Sequence, residues 1–408
     1  RRSALISLSN LGDDQMAHAK SGQWWENEGQ RALANNSVAY KGKPEMGTFM
    51  REWVSLYESK SGERGIFNRQ SARVQAAKNG RREADHEFGC NPCSEIILRP
   101  YQFCNLSEVV VRASDTQQTL TEKVRLATIL GTFQSTLTDF KYLRRVWRKN
   151  TEEERLLGVS LTGIMDNDMM AGKSAHLGKN IGATLNALKE QAIETNAVMA
   201  QQLGVPQSTA ITCVKPSGTV SQLVDSASGI HARHNPYYIR TVRGDNKDPI
   251  TQFLMSEGIP AEPDVMKPES TTVFSFPMKS PASAVCRTDM GAIEQLELWL
   301  QYQRYWCEHK PSVTITVKEH EWMQVGSWVY DHFDEVSGIS FLPFSEHTYK
   351  QAPYQDINAD TYKELLTQMP KSVNWSMLQE FEKEDTTSGG RELACTADAC
   401  EVVDLNAA

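Results

Sequence analysis

Short apolar runs alternate with longer amphipathic stretches along this chain, and that alternation restricts it to an α/β architecture. Met46, Phe49, Met50, Trp53, Val54 and Tyr57 recur at the spacing of a helix with one apolar face. Thr119 and Glu122 have capping-box spacing ahead of Val124, Leu126, Ile129, Leu130, Phe133 and Leu137, which predicts a second helix. A third is expected over Ile181–Leu203, stopped by Gly204 with Pro206 beyond. Strands are expected at 96–98, 107–112, 209–214, 313–317 and 338–342, with no internal repeat. An apolar, strand-like run also lies at the start, in "RRSALISLSN".

The 408 residues are 40% hydrophobic, enough for a large core in one or two domains. A net charge of −8 argues against a nucleic-acid-binding surface, which needs clustered Lys and Arg. No run of about 18 apolar residues proposes a membrane span. Eight cysteines are too few for a disulfide scaffold, and a cytoplasmic location is expected. The chain starts at Arg1 without an initiator Met, so a piece of a longer polypeptide is expected. From about residue 376 the composition turns charged and Gly-rich, and 376–408 reads as a mobile tail after a body of 1–375.

The cysteines carry the chemistry. "CNPCSEIILRPYQFCNL" places Cys90, Cys93 and Cys104 within fifteen residues, and "CTADAC" adds Cys395 and Cys400. Three readings stand open: a four-thiolate zinc site from Cys90, Cys93, Cys395 and Cys400, inert core thiols, or redox and radical chemistry. "VKPSGTVSQL" offers a second feature. A strand, a turn of Pro216, Ser217, Gly218 and Thr219, and a helix start can hold phosphate on backbone N–H groups. The same residues also make an ordinary turn with an N-cap, and Lys215 adds charge. "HEW" at His320 lacks the second histidine of a zinc-protease helix. Tyr237 and Tyr238 read as packing, Cys213 and Cys286 as core thiols, and Cys307 as structural despite Glu308 and His309 beside it.

"NPCSE" followed by "CNL" resembles the active-site finger loop of ribonucleotide reductases. "ITCVKPSGTVSQLVDSASGIHARHNPYYIRTVRGDNKDPI", "CEHKPSVTITVKEHEW", "SGERGIFNR" and "RRSALISL" resemble the adenosylcobalamin-dependent (class II) branch, closest to its monomeric triphosphate reductases. The resemblance covers almost the whole chain. It implies the C-terminal half of a ten-stranded α/β barrel, with a finger loop at about 90–106 threading its centre and a phosphate loop at about 215–221. It implies reduction of ribonucleotides, expected to be triphosphates, to deoxyribonucleotides, with adenosylcobalamin as radical source and thioredoxin or a similar dithiol as reductant. Cys93 matches the thiyl-radical position, Glu95 the general base for the 3′-OH, and Asn91 the residue that binds the substrate hydroxyls. Cys104 matches one half of the reducing dithiol, and Cys395 with Cys400 the tail pair that re-reduces it. Ser94, Pro216, Ser217, Gly218 and Thr219 match substrate contacts; no protein-held metal is implied.

Two departures set further expectations. Cys90 is an additional cysteine, expected to be neutral or to form an off-path disulfide with Cys93. The half of the barrel that supplies the partner thiol of Cys104 is not found, so the chain is expected to work only with an upstream N-terminal half and to expose an apolar barrel edge alone. A class I-type fragment served by a separate metal-radical subunit, and a non-catalytic remnant, are the alternative readings.

Overall fold

The structure, a computed structural model, describes residues 5–22, 24, 28–173, 181–344 and 350–382. Cys395 and Cys400 lie outside the described residues. The strands in chain order are β1 (Leu5–Ser9), β2 (Ala34–Tyr40), β3 (Gly65–Asn68), β4 (Gly89–Cys90), β5 (Ile97–Leu98), β6 (Asn105–Val110), β7 (Leu157–Thr162), β8 (Thr212–Cys213), β9 (Tyr237–Asp245), β10 (Ala261–Pro263), β11 (Thr271–Lys279), β12 (Thr314–Val317), β13 (Gly338–Pro343) and β14 (Tyr354–Asp356). They divide between two compact units, one drawing on Arg1–Ala232, Ser283–Val285 and Asp289–Ser345, the other on Arg233–Ala282, Cys286–Thr288 and Glu346–Ala408.

In the first unit β1, β2 and β3 run parallel, and β3 meets β13 antiparallel. β13 is parallel to β12, and β6, β7 and β8 form a second parallel set. A parallel bridge from Val214 to Pro311 connects the end of β8 with the approach to β12. The strands thus form a run β1-β2-β3-β13-β12-β8-β7-β6 in which two parallel sets meet antiparallel. Among the described residues β1 and β6 each pair on one side only. The five strands after the finger loop are the expected half-barrel. The three before it belong to the other parallel set, of which the sequence reading found only the strand-like run at the start.

Strands buried on both faces in this way read as continuous apolar runs rather than alternating ones, and all six residues of β7 are buried. The Ala292–Tyr305 helix closes the core with Trp299 and Tyr302, and Trp306 follows directly; all three are fully buried. Their polar atoms are not left unpaired. Trp299 Nε1 donates to the Pro311 carbonyl at 2.7 Å and Trp306 Nε1 to the Cys213 carbonyl at 2.7 Å. Tyr302 OH donates to the Met170 carbonyl at 2.9 Å. These bonds fix the junction between β8 and residue 311, on which the site is built.

The second unit is an antiparallel sheet in the order β10-β11-β9-β14. Tyr238 is buried, its ring 5.8 Å from both His234 and Tyr354, while Tyr237 packs 5.2 Å from Tyr362. The tail boundary drawn at residue 376 falls inside ordered chain. Short helical turns at Trp375–Met377 and Leu378–Phe381 place Trp375 and Phe381 at 5.4 and 5.8 Å from the buried Phe253 ring. Two aromatic anchors in a charged sequence are enough to hold this stretch. No helix among the described residues is long and apolar enough to cross a membrane.

Candidate active site

β4 and β5 pair antiparallel, Gly89 with Leu98 and Cys90 with Ile97, so residues 91–96 form the tip of a narrow hairpin. The tip is closed from within. Ser94 N–H donates to the Asn91 carbonyl at 2.8 Å and Ile96 N–H to Asn91 Oδ1 at 3.0 Å. Asn35 Nδ2 on β2 donates to the Pro92 carbonyl at 2.6 Å, and Ser312 Oγ donates to the Cys93 carbonyl at 2.5 Å. The hairpin is thereby held between the two parallel sets. Cys93 and Ser94 border a narrow cleft of about 50 Å³ shared with Asn35, Ser312 and Gly338.

Glu95 is fully buried. Its Oε1 accepts a hydrogen bond from Lys215 Nζ at 2.9 Å, while Oε2 is buried with no hydrogen-bond partner. A buried carboxylate oxygen without a donor is costly, and it is the group most in need of a ligand's proton. The charge of Glu95, together with burial, acts on Cys104 just before β6. Burial first, then Glu95, pushes the Cys104 thiol well above the ordinary thiol range, opposed by Arg82 and Lys215. Cys104 therefore stays protonated at neutral pH. A Cβ on Gly158 would lie 2.4 Å from a Leu106 methyl carbon and 3.3 Å from Cys104 Sγ, so β7 passes Cys104 at a distance that excludes a side chain at this position.

The strand expected at 209–214 is only the two residues of β8, Thr212–Cys213. The Pro216 turn leads into a single short helix, Thr219–Leu223. Lys215 N–H donates to Ser160 Oγ at 2.8 Å, and Ser217 Oγ donates to Glu108 Oε2 at 2.9 Å while accepting from Ser221 N–H at 3.1 Å. Burial raises the Glu108 carboxyl, against the pull of Ser217 and Lys215. Gly218 and Thr219 are exposed. Lys215 is thus the physical link between the turn and Glu95, a stronger part than its charge alone indicated. Burial lowers its ammonium, but the Glu95 carboxylate outweighs that and the net shift is upward.

Sequence reasoning missed Lys310. It is fully buried and donates from Nζ to Ser94 Oγ at 2.8 Å and to the Ser337 carbonyl at 3.4 Å, with Nζ 4.5 Å from the Phe67 ring centre. Burial holds its ammonium down at about 8, against the pull of Cys90 and Glu95. The unfolded lysine keeps its proton to about 10.4. The folding penalty is therefore present in full below about pH 8 and is relieved as pH rises toward the unfolded value. Chemical denaturation of the wild type and Lys310→Met at pH 7.5 and pH 10 is expected to show the wild type gaining about 1–3 kcal/mol relative to the variant at the higher pH. His309 beside it is also fully buried. Its Nε2 lies 2.9 Å from the Leu157 carbonyl and its Nδ1 accepts from Ile97 N–H at 3.4 Å, tying β5 to β7. Burial, then Arg82, lowers this imidazole to about 3, so it is a neutral strut.

The structure brings Asn91, Cys93, Ser94, Glu95, Cys104 and Lys215 together, with the Pro216–Thr219 turn attached through Lys215. Cys213 and Cys307 are buried and are pushed up chiefly by burial, as expected of core thiols. Among the described residues no group of three or more His, Cys, Asp or Glu is gathered to hold a metal ion. The zinc reading would also need Cys395 and Cys400, outside the described residues.

No family model matches the chain. It is 29% identical to the adenosylcobalamin-dependent ribonucleoside-triphosphate reductase of Lacticaseibacillus paracasei, over 91% of this chain and 52% of that protein. It is 28% identical to the protein of that name from Lactobacillus acidophilus, over 98% and 57%, and 27% identical to the one from Euglena gracilis, over 77% and 42%. The chain thus spans about half the length of the curated relatives it matches. A crystal structure of a B-12 dependent (class II) ribonucleotide reductase superposes with a TM-score of 0.75 at 23% identity, covering 94% of this chain and 56% of that one. The chain has the α/β fold of that enzyme.

Proposed function

We propose that this chain, a relative of the adenosylcobalamin-dependent ribonucleoside-triphosphate reductases, carries the radical and acid-base half of such a catalytic unit. Its reaction is the reduction of a ribonucleoside triphosphate to the 2′-deoxyribonucleotide. The observation that carries this reading is the arrangement at the hairpin tip. A half-buried thiol stands two residues from a fully buried carboxylate, one oxygen of which is held by a lysine while the other has no partner.

The residues fit a reaction begun by a radical delivered to a thiol, because Cys93 borders an accessible cleft and is held there by its own carbonyl. The radical that takes the hydrogen atom from the Cys93 thiol is supplied by adenosylcobalamin when bound. The Cys93 sulfur radical removes the substrate's 3′ hydrogen, and Glu95 Oε2 accepts the 3′-OH proton. The 2′-OH then leaves as water on taking a proton from a thiol, a task suited to Cys104, which is held protonated. Cys104 and a second thiol become a disulfide as the second thiol's hydrogen goes to C2′ and their remaining electron to the 3′ carbonyl, whose oxygen regains its proton from Glu95. The 3′ hydrogen returns from Cys93, which regains its radical. The Asn91 amide binds the ribose hydroxyls, with Ser94 beside it. The turn of Pro216, Ser217, Gly218 and Thr219 holds the phosphates, with Lys215 between phosphate and base.

Two partners complete the proposal. Further strands between β1 and β6 would close the barrel and bring the second thiol, from the polypeptide portion that the longer relatives carry. The disulfide is returned to thiols by exchange through Cys395 and Cys400 with thioredoxin or a similar dithiol. The test is deoxyribonucleotide formation by the chain joined to the remaining portion of a related reductase, given a ribonucleoside triphosphate and a dithiol. Product that requires adenosylcobalamin supports the proposal. A folded assembly with no product under these conditions overturns it.

A further inference from the structure

We propose that Lys310 is a positioning residue that locks the Asn91–Glu95 turn in its left-handed conformation and so sets the direction of Cys93 and Glu95. The inference rests on reading those two residues as the working pair. Four observations converge on it.

Ser94 has φ +66°, a conformation disfavoured for any residue with a Cβ and, in a hairpin tip, ordinarily left to Gly or Asn. Something outside the turn must hold it there. Lys310 meets the turn twice, through Nζ to Ser94 Oγ at 2.8 Å and through its backbone N–H to the Glu95 carbonyl at 3.0 Å. Two residues on, Ser312 Oγ takes the Cys93 carbonyl at 2.5 Å. One short segment, 310–312, therefore grips three consecutive residues of the turn.

Space has been cleared for the grip. A Cβ on Gly338 would lie 2.5 Å from Ser94 Oγ and 2.6 Å from Lys310 Nζ, so no other side chain fits where β13 passes the contact. Finally, Lys310 has no carboxylate within ion-pair distance among the described residues; its ammonium is buried against a hydroxyl, a carbonyl and the Phe67 ring. Burying a charge this way opposes folding. The bond to Ser94 is what the fold obtains in return.

Amide hydrogen exchange reads the turn without any catalysis. The Ser94 and Ile96 amides both bond within it, to the Asn91 carbonyl and Asn91 Oδ1. In the chain itself, Lys310→Met and Ser94→Ala are each expected to speed exchange at these two amides by at least about tenfold. Amides in the Ile181–Leu203 helix should be unchanged. Ser94→Gly, which adopts the left-handed turn unaided, is expected to exchange at close to the wild-type rate, and Lys310→Met with Ser94→Gly should regain most of the protection lost in Lys310→Met alone. A lysine that merely fills the core would not be rescued by a glycine at 94. Unchanged exchange in Lys310→Met, or equal exchange in Ser94→Ala and Ser94→Gly, overturns the proposal. The latter pair decides it even if Lys310→Met does not fold. In the assembled enzyme Lys310→Met should lower kcat with little change in KM. A loosened turn with kcat untouched would leave the clamp standing and count against Cys93 and Glu95 as the working pair.

Discussion

Cys93→Ser is expected to abolish deoxyribonucleotide formation, lowering kcat by on the order of 10⁴-fold or more, as loss of a reacting nucleophile does elsewhere. A hydroxyl matches the thiol closely in size, so the hairpin and its bonds to Asn35 and Ser312 should survive. The chemistry cannot: an O–H bond is too strong to yield its hydrogen atom to the incoming radical and return it reversibly. Substrate affinity, measured by nucleotide binding, should be nearly unchanged, because the turn at Pro216 and the Lys215–Glu95 pair are untouched. Glu95→Gln is expected to be milder, about 10²–10⁴-fold, since it removes proton transfer and leaves the radical step. It should also weaken the grip on Lys215, whose Nζ bonds Glu95 Oε1 at 2.9 Å. A Cys93→Ser enzyme that kept a hundredth of its activity would place the radical on another residue.

The largest effect on stability should come from Glu154. Arg82 Nε and NH2 each bond a Glu154 oxygen at 3.0 Å, with side-chain exposures of 0% and 4%. Gln102 Nε2 donates to the same carboxylate, and the Arg82 guanidinium lies 4.8 Å from the Phe88 ring centre. Glu154→Ala strands a buried guanidinium and is expected to cost about 3–5 kcal/mol in denaturant unfolding. Arg82→Met combined with Glu154→Leu should cost clearly less, because no charge is then left unpaired. If the single and double variants proved equally destabilised, volume rather than charge would dominate this part of the core. Arg82 also pulls the Cys104 thiol downward, so the pair reaches the site as well as the core.

How much of this was legible depended on whether the physics was local. The C-terminal end of the Ile181–Leu203 helix was read from the sequence, because its stop lies in Gly204, at φ +66°. The Gln117–Gln134 helix starts a turn before the expected capping box. Thr116 and Thr119 cap each other reciprocally, and the polar residues that follow carry no apolar periodicity to reveal it. β2, "ANNSVAY", was invisible because its asparagines serve other segments: Asn35 bonds Pro92 and Asn36 Nδ2 the Met16 carbonyl. Cys93, Glu95 and Cys104 stood close enough in sequence for a motif. The lysines that hold them did not: Lys215 lies 120 residues from Glu95, and Lys310 lies 216 from Ser94.

The meeting of β3 with β13 has a consequence for synthesis. Gly65–Asn68 must wait for Gly338–Pro343, and the hairpin at 91–96 must wait for 310–312. Contacts so distant along the chain form late, after their loops have closed. A nascent chain emerging from the ribosome thus exposes Cys93 long before residues 310–312 can grip it. Until the segment beyond residue 310 arrives, Ser94 has no partner there to hold its backbone, and the thiol and the carboxylate have no fixed bearing on each other. The geometry of the turn is thereby deferred until residues 310–312 have been made, and a product terminated before them would carry Cys93 and Glu95 without it.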